Sequence, residues 1–204
     1  MIMKKVLILI AAAIVTVSAS AQIQFGVKVG VDATNFWGKG VEVVPMTNSY
    51  PFSVNHDMKF NYQAGLVMEY KFSPKFAIAP EVVFAAQGGK RTYENPALMI
   101  SQREYKYTTN YINVPVMLKC YLSPAFSIDL GPQVGFNVYS KADGIDIKGS
   151  TKAVDFGVGL GGSYNLTDNA FVQARYTIGL TNVFKQDNDD CKNGNIQLAF
   201  GMKF

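Results

Sequence analysis

The chain has few of the side chains that usually carry catalysis or metal binding. Its 204 residues include one histidine, one tryptophan and two cysteines. Since no histidines or cysteines cluster at the spacing of a zinc site, we expect neither a metal nor a cofactor. His56 lies in a segment predicted as a long loop, where a solvated imidazole is a better interpretation than the base of a Ser-His-Asp hydrolase. The run Asp187–Asp190 lacks the spacing of an EF-hand loop, and we interpret it as a solvated surface segment.

Excess charge and long apolar runs are also scarce. Two of the 19 basic residues, Lys4 and Lys5, lie in the first 21 residues, which leaves 17 basic against 15 acidic residues. This near balance gives no reason to expect nucleic acid as a partner. Beyond residue 21 no stretch reaches the ~20 consecutive apolar residues that a membrane helix needs. The remaining part therefore fits one domain, either a soluble exported protein or a β-barrel.

The first 21 residues have the three parts of a secretory signal. Lys4 and Lys5 precede the apolar stretch Val6–Val17, and Ala19-Ser20-Ala21 offers small residues for cleavage. The sequence predicts a cleaved Sec-type signal peptide over residues 1–21 and a mature domain over 22–204. An uncleaved N-terminal anchor is the alternative.

Eight later segments alternate apolar and polar residues with period two, as half-buried β-strands do. They are predicted at about 23–35, 61–72, 76–87, 106–122, 126–140, 152–165, 170–183 and 195–204. Three polar turns follow alternate strands, at 73–75, 123–125 and 167–169, whereas the loops near 36–60, 88–105, 141–151 and 184–194 are longer. The alternation of short turns and long loops predicts an all-β fold. We expect an eight-stranded antiparallel up-and-down transmembrane β-barrel with short periplasmic turns and longer extracellular loops.

A soluble β-sandwich is the competing fold, because alternation alone does not say which face meets water. Two observations favour the barrel. The apolar faces continue across all eight segments, and the opposite faces carry glycines and paired charges. The same layout places Cys120 and Cys191 at opposite ends of a barrel whose apolar band alone is ~25 Å tall, so we expect no disulfide between them.

Three prolines contradict the simplest form of this prediction. Pro80, Pro115 and Pro132 fall inside predicted strands, and a closed barrel has no edge strand to accommodate them. Each should therefore mark a bulge or a broken bond in the ladder.

Five segments resemble the PorT-like outer-membrane β-barrel proteins of Bacteroidetes: Phe25–Gly30 (FGVKVG), Ala79–Lys90 (APEVVFAAQGGK), Tyr111–Lys119 (YINVPVMLK), Gly131–Phe136 (GPQVGF) and Asp155–Gly162 (DFGVGLGG). The resemblance spans essentially the whole mature chain, and its recurrent P-E, N-x-P-V and G-P-Q segments contain the three prolines. It implies an outer-membrane location in a Gram-negative bacterium. The founding type of that family is tied to protein export by a Bacteroidetes-specific secretion system.

The predicted inward faces carry a mixed set of charges: Lys28, Glu69, Lys71, Glu81, Lys119, Asp129, Asp155 and Arg175. An eight-stranded barrel is just wide enough inside for side chains to fill it. An unpaired charge there costs several kcal/mol, so these groups should pair and form a plug. An ion-conducting path is the alternative, and a catalytic carboxylate pair has no support in the sequence.

The first long loop is unusually apolar for an exposed segment, as shown by Trp37, Val43, Pro45, Met46, Tyr50 and Phe52. Such a patch is either a contact surface for a partner or a lid folded over the barrel mouth.

At the chain end, Phe204 on an alternating last strand resembles the signal that the barrel-assembly machinery recognises.

Together these features predict a non-enzymatic barrel that acts through its extracellular loops in binding, envelope organisation or protein-export assembly. Its expected partners are outer-membrane lipid, the assembly machinery and an envelope or secretion-system protein. A narrow porin-like channel for small solutes and an enzyme acting on lipid or envelope substrates are the two alternatives.

Overall fold

A computed structural model describes residues 22–37, 53–95, 100–183, 185 and 191–204, and residues 53–57, 90–95 and 100–105 by their backbone only. The predicted leader and residues 38–52 of the first loop lie outside these ranges. No helix in the described ranges is both long enough and apolar enough to span a membrane.

The described chain is almost entirely β-sheet. In order, its strands are β1 (Ile23–Trp37), β2 (Ser53–Asp57), β3 (Lys59–Lys71), β4 (Phe76–Asn95), β5 (Ile100–Tyr121), β6 (Phe126–Ala142), β7 (Ile145–Asp146), β8 (Val154–Asn165), β9 (Ala170–Asn182) and β10 (Lys192–Lys203). A single turn of 3₁₀ helix spans Lys148–Ser150.

The long strands close into an antiparallel barrel. β1, β3, β4, β5, β6, β8, β9 and β10 each pair with the next long strand along the chain, and β10 returns to pair with β1. β2 and β7 are short additions on β4 and β6. The predicted eight-stranded up-and-down barrel is confirmed.

Strict alternation sorts the side chains between two environments. On β1, Val29 is 58% exposed on the outer wall, whereas Lys28 is 1% exposed in the lumen. The same pattern holds along the other long strands, whose outward residues are predominantly apolar and whose inward residues are predominantly polar or small. This inverted distribution is the arrangement expected where the outer wall meets lipid. It decides against the soluble sandwich, whose core would be apolar.

Three short turns mark one end of the barrel, called here the turn end, at residues 72–75, 122–125 and 166–169. A hydroxyl at the second position of each turn accepts hydrogen bonds from backbone N–H groups near its close. Ser73 Oγ accepts from Phe76 at 3.0 Å, Ser123 Oγ from Phe126 at 3.1 Å, and Thr167 Oγ1 from Ala170 at 3.0 Å. Local side-chain capping thus holds each predicted turn.

The three prolines interrupt the ladder without shifting its register. Pairing is missing at Pro80 between β3 and β4, at Pro115 between β4 and β5, and at Pro132 between β5 and β6. Beyond each proline the two strands pair again in the same register. Each proline lacks the N–H that a ladder bond requires. The predicted broken ladder bonds are therefore present, and the alternative of a bulge at these positions is wrong.

The opposite end, called here the loop end, contains more strand than the sequence predicts. β4 and β5 continue to Asn95 and from Ile100, across most of the predicted 88–105 loop. His56, predicted in a loop, lies in β2, where it pairs with Arg91 of β4. Asp143-Gly144, both at positive φ, turns β6 back into β7. Period two fails as a guide here because polar residues occupy both parities in most of residues 90–95 and 101–105 of the sequence.

Candidate functional site in the lumen

The centre of the lumen is closed by an ion-paired group that we call the central cluster: Lys28, Glu81 and Arg175. Arg175 donates two hydrogen bonds to Glu81, from Nη1 to Oε2 at 2.9 Å and from Nη2 to Oε1 at 2.7 Å. Lys28 Nζ donates to Glu81 Oε2 at 2.7 Å and to Gln173 Oε1 at 2.9 Å. A bidentate guanidinium–carboxylate pair is a strong and geometrically specific interaction, so the three side chains bridge β1, β4 and β9 across the lumen.

A second group, the lower cluster, lies nearer the turn end and is centred on Glu69. Its carboxylate accepts hydrogen bonds from Lys203 at 2.9 Å, from Lys119 at 3.1 Å and from the Tyr121 hydroxyl. Lys71 lies 3.8 Å away, with its side chain 41% exposed. Between the two clusters is a cavity of about 20 Å³, room for about one water molecule.

Two further carboxylates are held by neutral groups. Asp129 accepts hydrogen bonds from the Ser127 and Ser163 hydroxyls and from the Gln173 amide, at 3.0, 2.6 and 3.2 Å. Asp155 accepts from Asn193 at 2.8 Å and from the Thr181 hydroxyl. Gln173 therefore links Asp129 to Lys28 of the central cluster.

The structure brings the predicted charged residues together on one surface, but not as a single network. They separate into the central cluster, the lower cluster and the two neutrally bonded aspartates, and Lys71 extends from the lumen toward solvent. Sequence reasoning missed Lys203 and Asp32 as members of the charged set. Both residues occupy inward-facing positions in the alternation of their strands, so alternation alone could have identified them as lumen charges.

A group of apolar side chains lies at the loop end of the lumen. Phe36, Val183 and Cys191 are 2–3% exposed and pack together, with Tyr107 against them. Phe36 meets Tyr107 edge-on at 6.2 Å between ring centroids. A Cβ on Gly89 would lie 2.8 Å from the Phe36 ring, so this close approach requires glycine. Cys191 is thus far from Cys120, which lies beside the turn end, and no disulfide joins them.

Of the predicted loop surface, only Trp37 falls in the described residues. Its indole Nε1 donates to the carbonyl of Asn193 at 2.9 Å, and Lys192 Nζ lies 5.1 Å from its ring centroid. Trp37 therefore packs against the start of β10, at the loop end. Val43, Pro45, Met46, Tyr50 and Phe52 lie outside the described residues.

Among the described residues, no group of three or more His, Cys, Asp or Glu side chains is placed to hold a metal ion. A polar, ion-paired lumen inside an apolar wall is the geometry of a membrane barrel, and the comparison with sequence families agrees. The family described as "Outer membrane protein beta-barrel domain" matches residues 18–185. The chain belongs to that family. A comparison with curated proteins found no match.

The solved structure of Neisserial surface protein A (NspA) has the same fold as this family member. It superimposes with a TM-score of 0.54 at 15% identity, covering 88% of this chain and 97% of that one, and at this identity the similarity concerns the fold alone. Two other solved structures are similar at lower TM-scores. Ail, the attachment invasion locus protein of Yersinia pestis, gives a TM-score of 0.49 at 15% identity, with 89% and 98% covered. OprG of Pseudomonas aeruginosa gives 0.48 at 13% identity, with 89% and 95% covered.

Proposed function

We propose that this outer-membrane barrel is a non-enzymatic protein with a closed lumen, acting through its extracellular loops in binding, envelope organisation or protein-export assembly. The observation that carries the proposal is the central cluster, in which Glu81 ties Lys28 and Arg175 together across a lumen only one layer of side chains wide. The lower cluster and the apolar group around Phe36 close the lumen again on either side. With the interior filled, the surfaces left for recognition are the loops and the outer wall.

A narrow channel for small solutes is the second candidate. Its support is the polar lining between the central cluster and Phe36, where Asp32, Gln63 and Asn195 face the lumen with unbonded polar atoms. Conduction would require the central cluster to separate. Breaking a buried ion pair by removing one partner costs about 3–5 kcal/mol, so the closed form should dominate at rest.

Single-channel recording in planar bilayers separates the two candidates. The protein is refolded, checked for the heat-dependent electrophoretic mobility of a closed barrel, and inserted as wild type, as Glu81→Gln and as Asp168→Asn. The closed-lumen proposal expects no steady conductance from wild type or from Asp168→Asn, which changes an exposed carboxylate in a turn. Steady ohmic steps from wild type that change in Glu81→Gln would establish the channel instead.

The loop function is tested by replacing the apolar first loop. Residues 38–52 contain the predicted contact residues Val43, Pro45, Met46, Tyr50 and Phe52. Exchanging them for a Gly-Ser linker of equal length should preserve the barrel and abolish cross-linking to an envelope protein. The control is a Gly-Ser exchange of the shorter exposed segment 148–150 at the same end of the barrel. Equal cross-linking by both variants would exclude the first loop as the contact surface.

The finer family assignment, to the PorT-like proteins that serve protein export, belongs to the same proposal. Its support is the set of motifs around Pro80, Pro115 and Pro132. If it is right, deletion of the gene should retain cargo of the secretion system inside the cell. Normal secretion in the deletion strain would indicate that the barrel has another role.

The enzymatic alternative is tested by His56→Ala, since loss of a lipid-hydrolysing activity in this variant would contradict the proposal.

A further inference from the structure

Just above the central cluster, toward the loop end, the lumen is lined by polar groups that do not hydrogen-bond to one another. Asp32 is 0% exposed, and neither of its carboxylate oxygens has a hydrogen-bond partner among the described residues. The same holds for both polar atoms of the Gln63 and Asn195 amides and for the Thr177 hydroxyl, all in residues at most 5% exposed. Buried polar groups are almost always bonded in proteins, so a group of them without protein partners indicates a ligand.

The strand register places these groups side by side. Asp32 pairs with Asn61 on β3 and with Gln197 on β10. Gln63 and Asn195 are each two residues from those partners and so are diagonal neighbours of Asp32, at Cα separations of about 7–8 Å. Thr177 on β9 pairs with Asn195. Four neighbouring strands, β3, β1, β10 and β9, thus carry these oxygen-bearing side chains on one part of the lumen wall.

The charges around this point favour a cation. Lys28 and Arg175 both bind Glu81, and Asp129 is bonded by hydroxyls and an amide only. Asp129 also lies opposite Lys119 in the register of β5 and β6. Among these three carboxylates Asp32 is therefore the one with no cation bonded to it or paired with it in the register. An isolated carboxylate in a confined interior is too costly to remain uncompensated.

Asp32 is 0% exposed, so bulk solvent does not reach its carboxylate. The central cluster lies on the side of the turn end, and Phe36, Val183 and Cys191 lie on the side of the loop end. Compensation has to come from a species held within the lumen.

We infer that Asp32, Gln63, Asn195 and Thr177 form a binding site for one monovalent alkali cation, with water completing its coordination. Carboxylate, amide and hydroxyl oxygens are the ligands that hard cations take. A single carboxylate balances a single positive charge, whereas divalent ions are usually held by more acidic ligands. The unbonded amide N–H groups of Gln63 and Asn195 suit the coordinating waters, which accept hydrogen bonds as well as donate them.

The test compares thermal unfolding in sodium chloride and in choline chloride at equal ionic strength and pH. The folded protein is prepared in detergent as wild type, as Asp32→Asn and as Asp168→Asn. A ligand that binds only the folded state raises the midpoint, by about 3 °C or more for a domain of this size at ten times its dissociation constant. Wild type and Asp168→Asn should show this rise with sodium but not with choline, and Asp32→Asn should show none.

A second measurement does not depend on the variant folding. Crystals of the wild-type protein grown with thallium(I), an alkali-cation substitute, should show one anomalous peak within coordination distance of Asp32 Oδ1 or Oδ2. Absence of the peak together with equal midpoints in sodium and choline would overturn the inference and leave water alone, or a proton on Asp32, as the compensating species. A sodium response that persists in Asp32→Asn would also overturn it. These outcomes are independent of the bilayer recordings that test the closed lumen.

Discussion

At the scale of single residues, the lower cluster shows how burial sets the value of an ion pair. Three lysines surround Glu69, but they do so from different environments. Lys203 and Lys119 side chains are 6% exposed and lie within hydrogen-bond distance, whereas the Lys71 side chain is 41% exposed at 3.8 Å. Water screens an exposed pair and does not reach a buried one. The three lysines should therefore contribute unequally to stability.

We predict that Lys203→Met lowers the free energy of unfolding by about 1–3 kcal/mol and that Lys71→Met lowers it by less than about 1 kcal/mol. Loss of Lys203 leaves the buried Glu69 carboxylate with one close cation fewer, and Lys71 contributes only a screened contact. Urea titration of both variants in the same detergent micelles measures the difference. Equal losses would show that the exposure of the lysine does not control its contribution.

At the scale of elements, the short turns are defined by their own side chains. Ser73, Ser123 and Thr167 occupy the same place in three turns, and each accepts a hydrogen bond from the N–H three residues on. The hydroxyl offers an acceptor to the backbone N–H at the hairpin end, and at Ser73 it shares that N–H with the Ser73 carbonyl. A repeat of this kind depends on sequence-local geometry, which is why the turns were predictable.

Replacing one of these hydroxyls should have a small, specific cost. We predict that Ser123→Ala lowers the free energy of unfolding by about 0.5–1.5 kcal/mol, the net value of one hydrogen bond. Ser123→Thr keeps the oxygen and should lie within a few tenths of a kcal/mol of wild type. The two variants are compared by urea unfolding, and a Thr variant as unstable as the Ala variant would assign the effect to something other than the hydroxyl.

The strand ends show the opposite case. β4 and β5 run past the predicted loop boundary because their backbones keep pairing there, although the residues of both parities are mostly polar in the sequence. Alternation reports a difference between two faces, and it disappears where the faces have the same environment. The extensions at residues 90–95 and 100–105, and β2 beside them, could not be predicted from hydrophobic pattern for this reason.

At the scale of the whole molecule, the distribution of turns and loops suggests an orientation in the membrane. Outer-membrane barrels carry short periplasmic turns and longer extracellular loops. We therefore expect the turn end, with residues 72–75, 122–125 and 166–169, to face the periplasm. The loop end, with Phe36 and Trp37, should face outward.

Cysteine labelling in intact cells tests this orientation. In a background in which Cys120 and Cys191 are replaced by serine, Gly149→Cys should react with a membrane-impermeant maleimide, and Asp168→Cys should not. Both positions are exposed, and Gly149 has open space where a side chain would begin. After the outer membrane is permeabilised both should react, and the reverse pattern in intact cells would invert the proposed orientation.

The sequence by itself determined the eight long strands short of their extensions at the loop end, their two faces, the three turns and the closed barrel, because each depends on a period of two and on turn chemistry local to the chain. It also identified most inward charges by parity, as for Glu81 and Arg175. Only the tertiary structure decided which charges meet. Lys28, Glu81 and Arg175 are brought together by the tilt and closure of the strands, and Lys203 reaches Glu69 because β10 returns to β1. The alternation of residues tells which face of its strand a side chain occupies. Its partner on that face depends on the register between strands that are distant in the sequence. The isolation of Asp32 among unbonded amides is likewise a property of that register.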